Sequence, residues 1–130
     1  MRLNHLNLCV GDLSEAKDLF QSLFDFEVEQ QKGDAMLVMN DRCGFTLVLS
    51  NPKAFGGEAP AYPEGFHLGF IVDTPEEVDR FCDRLAASRW HDGTLPQPRN
   101  IRGGYTLYFT ALGGVMFEVT CFERKQGLEK

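Results

Sequence analysis

The segments HLNLCV at residues 5–10 and HLGFIV at residues 67–72 decide how the rest of the chain is read. They share a His-Leu start and a Val end, 62 positions apart. Self-similarity on that scale marks two copies of one structural unit. Each copy runs on into the same kind of helix start: Asp12 with Glu15 three residues later, and Thr74 with Pro75 and then Glu77. Both read as capping boxes, in which the cap and the acidic side chain satisfy each other's free N–H groups. Beyond the caps, Leu13, Ala16, Leu19, Phe20, Leu23 and Phe24 recur at helical spacing, as do Val78, Phe81, Cys82, Leu85 and Ala86. Each helix therefore buries one stripe.

Strand-like segments follow each helix, at 27–31, 35–40 and 45–50 in the first copy and at 105–110 and 115–122 in the second, with a further short strand expected near 94–95. The pattern is strand, helix, then two or three strands, repeated. It predicts an α+β fold with helices covering one face of curved sheets. The expected organisation is a single domain: module one at 1–50, a Gly-Pro-rich connector at 51–65, module two at 66–122 and a short C-terminal tail at 123–130. The segment from His91 to Gly104, with Pro96, Pro98, Arg99 and Arg102, is expected to be a long loop, either a surface excursion or a substrate contact.

Composition narrows the function. With 43% hydrophobic and 25% charged residues the chain is globular rather than disordered. A net charge of -6 leaves no basic face to neutralise phosphates, so no nucleic-acid partner is expected, although a few Arg could still hold a small anion. The start has no apolar region of signal-peptide length and no later run is long enough for a membrane span, so a cytoplasmic protein without a membrane partner is expected. Cys9, Cys43, Cys82 and Cys121 form no CxxC, and all but Cys43 lie in apolar patterns, as buried free thiols do.

Strand parity then gives the polar residues a direction. Leu6, Leu8 and Val10 form the helix-facing side of the first strand, leaving His5, Asn7 and Cys9 on the other. In the repeat, Phe66, Leu68, Phe70 and Val72 face the helix and His67 repeats His5 in register. In the last strand Val115, Phe117, Val119 and Cys121 point inward, which puts Glu118 on the face of both histidines. A carboxylate in the middle of an apolar strand is costly without a partner, and a cation would resolve it. Two imidazoles and one carboxylate suit Fe, Mn, Ni or Zn with positions open to substrate, so His5, His67 and Glu118 are the candidate metal ligands. Taken singly, each has a plainer reading as a hydrogen-bonded or solvent-facing side chain.

These residues resemble the vicinal-oxygen-chelate superfamily, which includes glyoxalases, bleomycin-resistance proteins and extradiol dioxygenases. The resemblance rests on HLNLCVGDLSEAKDLFQSLFDFEV at 5–28, GFHLGFIVDTPEEVDRFCDRL at 65–85 and GGVMFEVTCF at 113–122. It implies two βαβββ modules forming an open, curved mixed sheet, a half-barrel around a cleft, with helices on the outer face. It also implies ligands from the first strand of each module and from the last strand, where His5, His67 and Glu118 stand, and a homodimer in which modules pair between chains. Two departures stand out. Aligning residues 44–50 on 114–120 sets Val48 opposite Glu118, so the first-module carboxylate of glyoxalase I is absent. ALGG at 111–114 replaces the usual Asp-Pro-x-Gly turn.

The resemblance implies an enzyme whose metal takes adjacent oxygens of a small molecule, as a lyase or isomerase, a ring-cleaving dioxygenase or a thioltransferase, with Lewis-acid chemistry common to all. The alternative is a metal-free sequestering protein of the bleomycin-resistance type. Parity puts Tyr108 on the face of the ligands, so Tyr108 and Glu118 are the candidate catalytic residues, Tyr108 to orient an oxygen at the metal or to donate a proton. Its plainer role is a half-buried aromatic with its hydroxyl in water. Asn7, Arg99 and Arg102 are candidate substrate contacts, Asn7 also as a support for a ligand.

Overall fold

The computed structural model describes residues 1–91 and 94–122. The expected C-terminal tail at 123–130 lies outside the described residues. The chain divides into two compact units, residues 1–62 and a second beginning at Pro63.

The first unit runs β1 (His5–Cys9), α1 (Leu13–Phe24), β2 (Glu27–Lys32), β3 (Met36–Asn40), β4 (Thr46–Ser50) and a 3-10 turn at Pro52–Phe55. Its sheet has the order β1-β4-β3-β2, with β1 parallel to β4 and the other pairs antiparallel. The second runs β5 (His67–Ile71), α2 (Pro75–Ala86), β6 (Arg99–Ile101), β7 (Gly104–Ala111) and β8 (Val115–Phe122), in the order β5-β8-β7-β6 with the same pattern of directions. The fold is α+β, two βαβββ modules each with a four-stranded mixed sheet, as the repeat and the resemblance led one to expect.

The helix starts differ. At α2 the capping box is complete: Glu77 N–H donates to Thr74 Oγ1, and Glu77 Oε2 accepts from Thr74 N–H at 3.0 Å. At α1 only half of the expected box forms, with Glu15 N–H donating to Asp12 Oδ1 at 3.0 Å. Charge explains the difference. A returning Glu15 carboxylate would approach the Asp12 carboxylate, a repulsion that the neutral Thr74 hydroxyl does not exert. At the other end of α1, Asp25 takes a left-handed conformation with φ 59°, and Phe26 N–H bonds to Phe20 carbonyl at 3.0 Å, closing the last turn.

The predicted parity holds in burial for most of the helix-facing side, but Leu6, expected there, is exposed, and Phe66, Leu68, Phe70 and Val72 are only half-buried. In module one Leu8 of β1 and Val10 just beyond it, Leu37 and Met39 of β3, and Leu47 and Leu49 of β4 are buried with Leu13, Ala16, Leu19, Phe20 and Leu23 of α1. In module two Val78, Cys82 and Leu85 of α2 are buried with Leu107, Phe109, Val115, Phe117 and Val119. Phe109 stacks on Phe117 with centroids 5.0 Å apart and meets Phe81 at 5.8 Å, joining helix to sheet. Ala86 is exposed and Phe81 half-buried, so the stripe of α2 is narrower than expected. Cys9 is likewise half-buried rather than buried, because it lies on the side of β1 that faces away from α1.

The expected strand near 94–95 is not formed. Residues 94–98 are irregular and β6 begins at Arg99. Pro96 and Pro98 have no N–H to give a ladder, so pairing with β7 starts only beyond them. The expected long loop thus contains an edge strand and a tight hairpin. Ile101 pairs with Gly104, and the two turn residues Arg102 and Gly103 have φ 51° and 76°, both positive as a type I′ turn requires. No helix among the described residues is long and apolar enough to cross a membrane.

Candidate functional site

Within module two the sheet side opposite α2 gathers His67, Glu118 and Tyr108. Gly69 of β5 pairs with Glu118 of β8, and Glu118 pairs in turn with Tyr108 of β7. Side chains on three neighbouring strands therefore project to one side. His67 Nε2 lies 3.4 Å from Glu118 Oε2, and the two side chains are 44% and 20% exposed. Gly69 lies against the carboxylate: a Cβ there would stand 3.5 Å from Glu118 Oε2, in ordinary van der Waals contact.

The protonation of His67 follows from its other nitrogen. Nδ1 lies 2.8 Å from the Gly65 carbonyl, which can only accept, so Nδ1 carries the proton and donates. With the ring neutral, Nε2 then presents a lone pair toward a carboxylate oxygen; with the ring protonated, Nε2–H and the carboxylate form an ion pair. In the neutral form two acceptors face each other across a gap longer than the roughly 2.7–2.9 Å of a charge-assisted hydrogen bond. A cation between them relieves the clash. Two ligand bonds of about 2.1 Å at a roughly tetrahedral angle span about 3.4 Å, so the spacing of the pair fits a divalent ion such as zinc. Among the described residues no group of three His, Cys, Asp or Glu side chains is assembled in this way, so the second module supplies a pair.

Tyr108 adds a hydroxyl to the same side. Partial burial, the hydrogen bond from its hydroxyl to Glu118 and the Glu118 charge push its pKa up, while the nearby Arg102 and Arg99 guanidinium groups oppose the rise. The phenol stays protonated and donates. Arg99, on the exposed strand β6, and Arg102, in the turn that follows, are both near enough to bias Tyr108. Four of the residues singled out in module two thus share one neighbourhood with Glu118. Thr106 and Thr120, hydrogen-bonded to each other and buried, lie two residues further along the same strands.

Module one presents His5 and Asn7 on the corresponding side of β1. His5 Nδ1 meets Asn4 Oδ1 at 2.8 Å, which places a proton on Nδ1, as the Gly65 carbonyl does for His67. Asn7 Oδ1 accepts a hydrogen bond from Ser50 Oγ at 2.7 Å. The pairing register confirms the position of Val48: it lies beside Asn7 on β1 and Val38 on β3, as Glu118 lies beside Gly69 and Tyr108. Module one therefore has no carboxylate where module two has Glu118.

Sequence reasoning missed Asn4, Gly65 and Ser50, the partners that orient His5, His67 and Asn7. Asn4 directly precedes His5 and Gly65 lies two residues before His67, and neither carries a pattern of its own. Ser50 was within reach, since its place at the end of β4 follows from the alignment that exposed Val48.

A family model described as the Glyoxalase/Bleomycin resistance protein/Dioxygenase superfamily matches residues 2–119. No curated protein sequence matches the chain. Among solved structures, a possible glyoxalase from Bacillus cereus is 36% identical with a TM-score of 0.78, the match covering 93% of this chain and 99% of that one. Lactoylglutathione lyase from Agrobacterium tumefaciens is 20% identical with a TM-score of 0.71, covering 92% of each chain. The fosfomycin resistance protein FosX from Listeria monocytogenes, complexed with Mn(II) and sulfate, is 21% identical with a TM-score of 0.74, covering 98% of this chain and 95% of that one.

Proposed function

Because the chain belongs to the glyoxalase, bleomycin-resistance protein and dioxygenase superfamily, we propose that it is a metal-dependent enzyme acting on a small molecule with adjacent oxygens. Its divalent ion, Fe, Mn, Ni or Zn, is held by His67 and Glu118 with His5 completing the set, from the same chain or from a second copy in a homodimer. The observation that carries this reading is the 3.4 Å approach of His67 Nε2 to Glu118 Oε2 with the His67 proton committed to Gly65. A proton on Nε2 or a metal cation between the two groups resolves that approach, and this reading assigns the cation.

When bound, the ion supplies Lewis-acid stabilisation of negative charge on the substrate oxygens. The protein's own groups do the rest. Tyr108 keeps its proton and offers it as a hydrogen bond at Glu118 or at a substrate oxygen beside it. Arg99 and Arg102 supply positive charge for an anionic substrate group. Asn7 offers its amide N–H donors, which the bond from Ser50 leaves unspent. With Val48 in place of a first-module carboxylate, a three-ligand enzyme of the ring-cleaving or thiol-adding type is favoured over a glyoxalase I. A cytoplasmic location is part of the same reading.

Metal analysis of the purified protein tests it. The wild type is expected to carry about one divalent ion per chain, and His5→Ala, His67→Ala and Glu118→Ala at most about a tenth of that, losing direct ligands rather than supporting contacts. Unchanged metal content in the variants refutes the site. A wild type without metal that still retains a small molecule points to the sequestering protein instead. With metal present, oxygen uptake with a catechol, hemithioacetal isomerisation and thiol transfer to an epoxide separate the reactions.

A further inference from the structure

Module one contains a hydrogen-bonded pair of which the metal reading uses only Asn7 and gives Ser50 no role of its own. Ser50 Oγ donates to Asn7 Oδ1 at 2.7 Å, and Cys9 Sγ stands 3.7 Å from the same hydroxyl. On the parallel strands β1 and β4, Asn7 lies beside Val48 and Cys9 beside Ser50, so Ser50 reaches diagonally back along β1 to the amide. All of these side chains are on the side of the sheet away from α1. The nearest strand neighbour of Asn7, Val48, has no polar atom with which to orient it.

A primary amide has two unlike ends of nearly equal shape, an oxygen that accepts and a nitrogen that donates twice. Without a fixed partner it can present either. A hydroxyl can donate or accept; one that donates to Oδ1, as Ser50 does, satisfies the oxygen and turns the two N–H groups to other partners. The repeat sharpens the point. The counterpart of Asn7 in module two is Gly69, which has no side chain and lies beside the Glu118 carboxylate, a pure acceptor. Module one has the reverse arrangement, an apolar Val48 and an amide set to donate.

We propose that Ser50 is a positioning residue that holds Asn7 in the amide orientation that offers N–H donors to an acceptor oxygen of the substrate, two residues along β1 from His5. The orientation rests on the Ser50–Asn7 bond alone, whereas the use of the donors rests on the metal-centre reading. The two claims can therefore fail separately.

The orientation is tested on metal-free protein by NMR of the Asn7 side-chain amide. A single NOE pattern is expected in the wild type and in Ser50→Thr, which keeps the hydroxyl, and an averaged pattern in Ser50→Ala. An unchanged pattern in Ser50→Ala overturns the proposal. The use is tested by titrating oxalate, a bidentate oxygen anion, into Mn(II)-loaded protein. Asn7→Ala is expected to weaken oxalate about tenfold and Ser50→Ala about threefold to fivefold, in the range of one hydrogen bond. Ser50→Thr should stay within about twofold of the wild type, and Ser50→Ala should have no further effect in the Asn7→Ala background. An equal loss in that background means that Ser50 acts on structure rather than through Asn7, and overturns the proposal. A wild type that takes up no Mn(II) counts against the metal centre, and the NMR result still decides the role of Ser50.

Discussion

The two modules share one register and differ on one side of it. His5 corresponds to His67, Asn7 to Gly69, Val38 to Tyr108 and Val48 to Glu118, each pair occupying the same place in the strand pairing. On the helix-facing side the substitutions exchange one apolar residue for another, as with Leu47 and Phe117, both fully buried. On the other side they exchange chemistry: carboxylate for isopropyl, phenol for isopropyl, hydrogen for amide. The comparison teaches that strand alternation separates two demands on one segment. The buried face answers to packing, and the opposite face is free to become a site on one module and a support on the other.

The largest test of that separation is in the core. Phe117→Ala is expected to destabilise the protein by about 3–5 kcal/mol and Leu47→Ala by about 2–5 kcal/mol, since each empties a buried position on the helix-facing side. Phe117 should be the costlier loss because its ring also stacks on Phe109 at 5.0 Å. Chemical denaturation measures both, and equal or smaller losses at Phe117 would break the assignment of that face to packing.

Next in size is the exchange of the two opposite-face residues. Glu118→Val gives module two the residue that module one has, and it should lower divalent-metal affinity by about a hundredfold or more, roughly 2.7 kcal/mol, with little change in stability. Val48→Glu is the converse. It installs a second carboxylate beside Asn7 and should tighten metal binding if the first-module position serves the same ion. Calorimetric titration of each variant with Zn(II) or Mn(II) reads the difference. A Glu118→Val protein that binds as the wild type does removes the functional distinction between the modules.

Much of this contrast was legible before any coordinates. The repeat of HLNLCV and HLGFIV located the first strands, the helical stripes located α1 and α2, and alternation along VMFEVTCF put Glu118 opposite the buried face. These signals survive because burial imposes a period on the sequence. Strand β6 gave none: Arg99, Asn100 and Ile101 form a three-residue edge with no buried position to mark it. The bonds from Ser50 to Asn7 and from Asn4 to His5 were equally silent, since a side-chain contact depends on rotamers and on register between strands rather than on period. The candidate ligands were legible as residue types, each on the side of its own module's sheet away from the helix. The committed Nδ1 proton of His67, which gives that set its chemical force, was not.

A smaller effect separates the modules at the end of β1. Tyr62 donates from its hydroxyl to the Cys9 carbonyl at 2.6 Å, and burial pushes its pKa up. Tyr62→Phe should cost about 1 kcal/mol, the net value of one such bond. The pH dependence has a definite sign. A phenol whose pKa is higher folded than unfolded contributes stability that is complete below the ordinary tyrosine pKa and is lost as the pH rises through the raised value. Denaturant melts between neutral and strongly alkaline pH should therefore show a steeper alkaline loss in the wild type than in Tyr62→Phe, and parallel losses would remove Tyr62 as the cause.

The smallest effect is in the turn that brings Arg102 toward Tyr108. Its φ of 51° is one that side chains other than Gly, Asn and Asp adopt at a cost, and Asn is a preferred residue at the first position of a type I′ turn. Arg102→Asn is therefore expected to raise stability by roughly 0.5–1 kcal/mol. The same change removes one of the two cations that hold the Tyr108 pKa down, so spectroscopic titration should show that phenol ionising at higher pH than in the wild type. A variant that gains stability while losing affinity for an anionic ligand means that the turn sacrifices backbone ease to hold a guanidinium beside Tyr108 and Glu118. A variant that gains stability and loses nothing makes Arg102 an ordinary surface residue, and leaves Arg99 as the remaining candidate for that charge.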